Sequence, residues 1–244
     1  NLLRINSEKY ALNDSTDAYS DFLFINDLDN IGHIYKYNIN LSNFVDTLIF
    51  DNNIAQRNGG GILPEAVELT GLFFPEGPVV QVQNYVKQKQ VLKDEDPSTV
   101  YDGPLVVMVS NLSASAAEIP AAALQDYGRA LIVGDKTTHG KGTVQTLVEL
   151  NKIRNTPKES GLLKYTISKF YRVEGSTTQR NGVTPDIILP SIYDYMELGE
   201  AHLPQSLEPD SIDPADYEIM HRVRDTVNTL KKTSAERIKT VTDF

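Results

Sequence analysis

The middle of the chain constrains its fold more than any other part. "GPLVVMVS" (103–110) is an apolar run of the length of one buried strand, "AAEIPAAALQDYG" (116–128) has the composition of a helix, and "RALIVGD" (129–135) is a second apolar run. Pro120 is tolerated because it falls near the first turn of the helix, and Gly128 suits the C-terminal cap. A strand, a helix and a strand in this order predict a layered α/β core.

Strands and helices are also predicted on both sides of this unit. The pattern predicts a helix over 62–73, a hairpin over 77–96 and an amphipathic C-terminal helix over 214–232, whose apolar stripe indicates docking on the protein itself. Further strands are predicted at 21–25, 31–39, 45–50, 141–150 and 163–173.

Changes in composition divide the chain into three parts. Residues 1–30 are polar and weakly patterned, so we interpret them as a partial or remnant N-terminal segment. The core is predicted over 31–192. Residues 193–213 are acidic and loop-like, and they open a C-terminal extension (193–244) that is predicted to be mostly helical.

Charge and missing residue types exclude several classes of function. A formal net charge of -10 disfavours nucleic acid as a partner, because proteins that bind it present basic surfaces. The absence of cysteine excludes disulfides, thiolate nucleophiles and cysteine-bound zinc, and the four histidines are too far apart to predict a metal site. No stretch approaches the roughly 20 apolar residues that span a bilayer, so we expect no integral membrane segment.

The stretch "SNLSASAAEI" (110–119), which starts at the last residue of the strand predicted over 103–110, holds three serines. A catalytic serine needs a base for its proton and backbone donors for the oxyanion that develops. Ser115 lies between the strand and the helix, so the free N–H of Ala116 and the positive end of the helix point toward it. Position alone favours the alternative that Ser113 or Ser115 only caps the helix.

The loop "TTHGKGT" (137–143) holds two candidates for the base. His139 is the only histidine in a loop near this core, and no carboxylate is obviously placed to orient it. Lys141 acts as a base only when neutral, which requires burial or positive potential to lower its pKa from roughly 10.4. Taken alone, this lysine is better explained as a solvated loop residue.

Five separated motifs occur along the chain: "NGGG" (58–61), "SASAAEI" with "AAALQDYGRALIVGD", "GKGTVQ", "KFYRVEGSTTQRNGVTPDI" and "SIDPADY". Together they resemble the C-terminal processing peptidases, and within them the tail-specific protease branch, from about Val45 to Tyr217. The resemblance implies a ClpP/crotonase-like layered core, no metal or organic cofactor, and a location in the bacterial periplasm or cell envelope. It also implies a PDZ domain ahead of the core, but no glycine loop typical of carboxylate binding precedes residue 31.

The resemblance also assigns roles to five residues. It implies Ser115 as the nucleophile, Lys141 as the general base, and Gln145 as the residue that contacts and orients this lysine. It implies an oxyanion hole built from the backbone N–H groups of Ala116 and Gly61. On a regular strand Lys141 and Gln145 would lie roughly 13 Å apart, so their contact requires a bend, which the glycine after the lysine allows.

The resulting prediction is a serine endopeptidase with a Ser-Lys dyad that hydrolyses peptide bonds near the C-terminal tails of proteins. Its expected partners are unfolded or tagged protein substrates with apolar C-termini; the oligomeric state is not specified. One alternative is a non-catalytic peptide- or ligand-binding protein on the same fold. Another is an acyl-CoA-binding enzyme of crotonase-like architecture, which explains "NGGG" but leaves Lys141 without a role. The presence of Ser115, Lys141 and Gln145 together favours the peptidase, because a binding protein has no need for all three.

Overall fold

The computed structural model describes residues 48–50, 59–153 and 161–240. In chain order its elements are β1 (Leu48–Phe50), α1 (Leu63–Gly71), β2 (Gly77–Asn84), β3 (Lys89–Asp94), β4 (Leu105–Val109), α2 (Glu118–Asp126), β5 (Leu131–Gly134), β6 (Thr143–Glu149), α3 (Leu150–Ile153), β7 (Leu162–Tyr171), β8 (Ile187–Ile188) and α4 (Arg224–Thr240). The helix predicted over 62–73 and the hairpin over 77–96 are confirmed by α1 and by the β2–β3 pair. Segment 1–30 and the strands predicted at 21–25 and 31–39 lie outside the described residues.

The described strands form two four-stranded sheets of different kinds. One is parallel, in the order β1-β4-β5-β8, and the other is antiparallel, in the order β3-β2-β7-β6. Parallel neighbours need a crossover connection, and α2 supplies it between β4 and β5. Two antiparallel pairs, β2–β3 and β6–β7, join through β2 and β7 to make the second sheet.

Helix α2 contacts α1, β2 and β5, and it lies in the core. Ala121, Ala122, Ala123 and Leu124 are each at most 3% exposed. Their small side chains let the neighbouring backbones approach closely, and one apolar cluster joins them to side chains of both sheets. The predicted layered α/β core is confirmed.

A short 3-10 turn, Ser115–Ala117, connects the loop after β4 to the start of α2. Pro120 falls in the first turn of α2, where its missing N–H has no helical partner in any case. The helix ends at Asp126, and Gly128 adopts a left-handed φ of 60° that suits the end of a helix. The helix predicted over 116–128 is therefore confirmed, apart from its tighter first turn.

The C-terminal extension first runs along the core. Residues 199–213, which we call the strap, are irregular apart from a 3-10 turn at Glu200–His202 and one isolated bridge. Farther along, the backbone N–H groups of Ala215 and Val223 donate to the core carbonyls of Val173 and Gly128. The prediction of a helix over 214–232 is wrong for its first ten residues, since α4 begins only at Arg224. Backbone N–H groups that donate to the core cannot also donate to carbonyls within a helix.

Helix α4 is largely exposed and contacts β8. The predicted apolar stripe consists of Ile219, Val223, Val227 and Leu230; of the two that fall within α4, Val227 is half-buried and Leu230 is exposed. Within the part of the chain that the structure describes, no helix combines the length and the apolar character needed to cross a membrane.

Candidate active site

Ser115 begins the 3-10 turn between β4 and α2, and its backbone is strained. Its φ is 58°, in the left-handed region that a residue with a Cβ adopts when the surrounding structure imposes it. The buried hydroxyl of Ser113 accepts the N–H of Ser110 at 3.0 Å. No side chain caps the turn or α2, both of which lie among the described residues. The alternative that Ser113 or Ser115 serves as a helix cap is therefore wrong.

A buried carboxylate joins the 3-10 turn Ser115–Ala117, which we call the serine turn, to the loop at 137–143, which we call the lysine loop. Glu118 is 0% exposed, and its Oε2 accepts the N–H of Ser115 at 2.7 Å and that of Lys141 at 2.9 Å. Its Oε1 accepts the N–H of Gly140 at 2.9 Å and the hydroxyl of Thr138 at 2.5 Å. Four donors match the acceptor sites of an ionised carboxylate. One side chain therefore fixes two loops that are distant in the sequence.

Burial and these hydrogen bonds act on Glu118 in opposite directions. Removal from water disfavours the charged form and raises the pKa of Glu118 to about 7. The hydrogen bonds from Thr138, Gly140, Ser115 and Lys141 favour the charged form and limit the rise in its pKa. The ionised form, which accepts all four donors, predominates above neutral pH.

Lys141 lies in the loop before β6, and its surroundings favour the neutral amine. Burial lowers the pKa of Lys141, and the ammonium group of Lys164 on β7 lowers it further. The charges of Glu200 and Glu118 act in the opposite direction but more weakly. No carboxylate of the described residues forms a salt bridge with this lysine. A neutral amine is the form that a general base requires.

The residues singled out from the sequence meet in one cavity of about 270 Å³. Ser115, Ala116, Lys141, Gln145 and Gly61 all line it. The rest of its wall consists of four apolar side chains and two polar ones: Leu63, Ile119, Val144 and Phe170, with Thr143 and Lys164. The cavity thus brings together the serine, the lysine and the two residues whose backbone N–H groups are the predicted oxyanion donors, which is the set of groups that acyl transfer needs.

The glycines at 59–61 pack against the serine turn. Gly60 has a φ of 94°, and a Cβ at this position would lie 2.7 Å from the carbonyl oxygen of Ala114 and 2.8 Å from the nitrogen of Ala116. Only a residue without a Cβ approaches another backbone so closely. This approach brings Gly61 to the cavity wall beside Ala116, its predicted partner in the oxyanion hole.

The chain bends between Lys141 and Gln145, as their predicted contact requires. Strand β6 begins only at Thr143, so the lysine precedes the regular strand. The pairing of β6 with β7 then shifts register between Val144 and Gln145, which indicates a bulge. Both side chains consequently reach the same cavity.

His139 is not among the residues that line the cavity. Its backbone N–H donates to the carbonyl of Ser113 at 2.8 Å, and its backbone carbonyl accepts the N–H of Glu200 at 2.8 Å. Its Nδ1 is buried and has no hydrogen-bond partner among the described residues. No carboxylate of the described residues orients this imidazole, which makes it poorly suited to act as a base, so the arrangement favours Lys141.

Three polar residues of this region were missed by reasoning from the sequence: Glu118, Lys164 and Gln179. A signal for Glu118 existed, because Ser115 and Glu118 have the spacing of a capping box, of which the carboxylate half forms. For Lys164, the alternation of residues along β7 predicts which side chains share a face of the strand, but it does not predict which of the two faces meets the cavity. Gln179 accepts the N–H of Gly142 at 2.9 Å, and no local pattern announces a bond across 37 residues.

The chain belongs to peptidase family S41. The profile of that family matches residues 31–189, which contain the serine turn, the lysine loop and both sheets. A second profile, the C-terminal domain of tail specific protease, matches residues 193–244. The predicted relationship to C-terminal processing peptidases and to their tail-specific branch is confirmed.

Individual relatives agree with this assignment. The chain is 45% identical over 193 residues to a tail-specific protease of Haemophilus influenzae, covering 78% of this chain and 28% of that protein. It is 34% identical over 131 residues to a carboxy-terminal processing protease of Bacillus subtilis, covering 53% of this chain and 26% of that protein. The chain thus spans little more than a quarter of the length of these relatives.

Among solved structures, the photosystem II D1 C-terminal processing protease aligns with a TM-score of 0.49 and 29% identity. This alignment covers 59% of this chain and 34% of that protein.

Proposed function

We propose that this chain carries the catalytic centre of a serine endopeptidase with a Ser-Lys dyad. One observation carries the proposal: Ser115 and Lys141 line the same cavity, and their backbone N–H groups bond to the same oxygen of Glu118. A shared anchor restricts how far apart the two loops can move. Catalysis by a positioned pair of groups requires such restriction.

The proposed reaction uses the groups around the cavity in sequence. Lys141, as a neutral amine, takes the proton of the Ser115 hydroxyl, and the hydroxyl oxygen attacks the carbonyl carbon of the scissile peptide bond. The N–H groups of Ala116 and Gly61 donate to the oxyanion, while Gln145 orients the lysine. The lysine then protonates the leaving amine, and water hydrolyses the acyl-enzyme. This chemistry requires no metal or organic cofactor.

The proposed substrates are unfolded or tagged proteins cut near apolar C-terminal tails. Leu63, Ile119, Val144 and Phe170 form an apolar wall next to Ser115, which suits apolar side chains beside the scissile bond. The names of the two relatives describe tail-specific and carboxy-terminal processing proteases. A bacterial periplasmic or envelope location accompanies this proposal, as does a division into a core over 31–192 and an extension over 193–244.

Cleavage of an unfolded protein with an apolar C-terminus tests the dyad. Ser115→Ala and Lys141→Ala each lower kcat/KM by at least about 1,000-fold, because each removes a group that the chemical step needs. The matched controls Ser98→Ala and Lys136→Ala, at exposed positions, retain wild-type cleavage. Equal cleavage by all five proteins contradicts the proposal, and absence of cleavage by the wild type favours the non-catalytic alternative.

A further inference from the structure

Residues 177–183, which we call the connecting segment, lie between the lysine loop and the strap. The backbone N–H of Arg180 donates to the carbonyl of Gly140 at 2.7 Å. The N–H of Val183 donates to the hydroxyl of Thr138 at 2.7 Å. The lysine loop therefore has a second support besides Glu118, on the side that faces the C-terminal extension.

Gln179 extends this support to the strap. Its side chain is 0% exposed, and its Oε1 accepts the N–H of Gly142, the residue after the lysine, at 2.9 Å. Its Nε2 donates to Oε1 of Glu200 at 3.1 Å and to the carbonyl of Leu207 at 3.2 Å. The acceptor and both donors of this amide are used. One buried side chain joins the lysine loop to two points of the strap.

The strap also touches the lysine loop directly. The N–H of Glu200 donates to the carbonyl of His139, two residues before the lysine, at 2.8 Å. Gly199, with a φ of 96°, lies so close that a Cβ there would be 2.8 Å from the same carbonyl oxygen. The strap thus contacts the lysine loop directly before Lys141, at His139, and indirectly after it, through Gln179 and Gly142.

We propose that Gln179 and Glu200 are positioning residues that bracket the lysine loop, so that the strap helps to orient the amine of Lys141. This inference rests on the proposed function, since it assigns the bracket a part in the same reaction. We call these contacts, from Glu200 to His139 and from Gln179 to Gly142, the bracket. Because they hold the backbone on both sides of Lys141, they restrain this residue more than its surroundings. A displacement of about 1 Å in a reacting group lowers a rate by about 100-fold.

An exchange of the amide and the carboxylate tests the bracket. In Gln179→Glu the new carboxylate still accepts from Gly142, but it loses both donors and repels Glu200. We expect kcat to fall by about 100-fold with little change in KM, because the chemical step and not binding is affected. Adding Glu200→Gln lets the amide at position 200 donate to the carboxylate at position 179. Activity then returns to within about tenfold of the wild type.

Two outcomes of this exchange overturn the proposal: wild-type kcat in Gln179→Glu, or a double variant no more active than Gln179→Glu. The matched control is Gln88→Glu, the same change in the exposed turn between β2 and β3, where the side-chain oxygen accepts from Asn84. It retains wild-type activity.

A pH profile separates positioning from a purely structural role. The charged groups that face Lys141 are Lys164 from β7, Glu118 from α2 and Glu200 from the strap. Glu200→Gln removes a negative charge that favours the ammonium form, so the pKa of Lys141 falls and the acidic limb of kcat/KM moves to lower pH. An unmoved limb overturns the proposal. Because Glu200 is only half-buried, this test remains available if Gln179→Glu does not fold.

Failure of the proposed function is recognised separately, when the wild type and Ser115→Ala are equally inactive. Hydrogen exchange then tests the bracket without catalysis. In Gln179→Glu the amide of Glu200 exchanges faster than in the wild type, while the amide of Gly142 stays protected by its retained acceptor. Unchanged exchange at Glu200 overturns the proposal.

Discussion

Helices α2 and α4 differ in what their packing fixes. Helix α2 has 9 residues, contacts both sheets and begins with a buried carboxylate that four donors hold. Helix α4 has 17 residues but is mostly exposed. The shorter helix holds the serine turn and the lysine loop. The longer helix packs mainly against β8 among the described strands. Buried polar contacts, and not helix length, define the candidate site.

The largest expected effect comes from Glu118→Ala, which removes the polar anchor of α2. Four donors lose their acceptor, and each buried unsatisfied group costs about 1–3 kcal/mol. The free energy of unfolding, measured with urea, falls by about 4 kcal/mol or more, and cleavage falls below about 1% of the wild type. The control Glu65→Ala, at an exposed position in the first turn of α1, changes stability by less than about 0.5 kcal/mol. A similar effect of both substitutions would remove the distinction drawn for α2.

The same substitution in both helices compares their packing directly. Leu124 of α2 is 1% exposed and Leu230 of α4 is 41% exposed. Leu124→Ala lowers the free energy of unfolding by about 2–5 kcal/mol, since it leaves a cavity in the core. Leu230→Ala lowers it by less than about 1 kcal/mol, because much of that side chain is already in water. Equal losses in urea denaturation would contradict the comparison.

The titration of the buried Glu118 makes the stability of the fold depend on pH. Helix α4 gives no such dependence, because its acidic residues are exposed. Its pKa is raised from 4.5 to about 7, so between these values the folded chain holds a proton that the unfolded chain releases. Stability is therefore greatest below about pH 4.5 with respect to this group and falls as pH rises toward 7, by up to about 3 kcal/mol. Glu118→Gln loses this part of the slope. Unfolding at pH 4.5, 6 and 8 measures it, and an identical slope in the variant would argue against the assignment.

The smallest expected effect concerns the β7 side of the cavity, which contributes charge instead of packing. Lys164→Gln removes a cation that disfavours the ammonium form of Lys141, so the pKa of Lys141 rises. The acidic limb of kcat/KM moves to higher pH, and the plateau at high pH changes by less than about threefold. Lys164→Arg keeps the charge and the limb. A limb that moves to lower pH in Lys164→Gln would contradict this effect.

The elements predicted correctly are those that local patterns specify. The unit formed by β4, α2 and β5 follows from two apolar runs and a stretch rich in alanine. The hairpin β2–β3 follows from alternation. The start of α4 was not predictable from such a pattern. Residues 215–223 carry helical spacing, but their N–H groups find acceptors in Val173, Tyr127 and Gly128, far away in the sequence.

The candidate site shows the same division. Ser115, Lys141, Gln145, Ala116 and Gly61 were placed through motifs, and all line one cavity. Their functional roles stay predictions. The groups that hold them belong to the tertiary structure. Burial makes Glu118 an anchor, and the strap makes Gln179 a link, so neither role can be deduced from neighbours in the chain.

The backbone of Ser115 has a consequence for how this chain responds to selection. A side chain in the left-handed region raises the free energy of the folded state by roughly 1–3 kcal/mol, and glycine is exempt. Ser115→Gly therefore melts at a higher temperature than Ser115→Ala, although both lack the hydroxyl. A library of variants screened for thermostability alone therefore accumulates the inactive Ser115→Gly variant, and only a screen for turnover retains the serine.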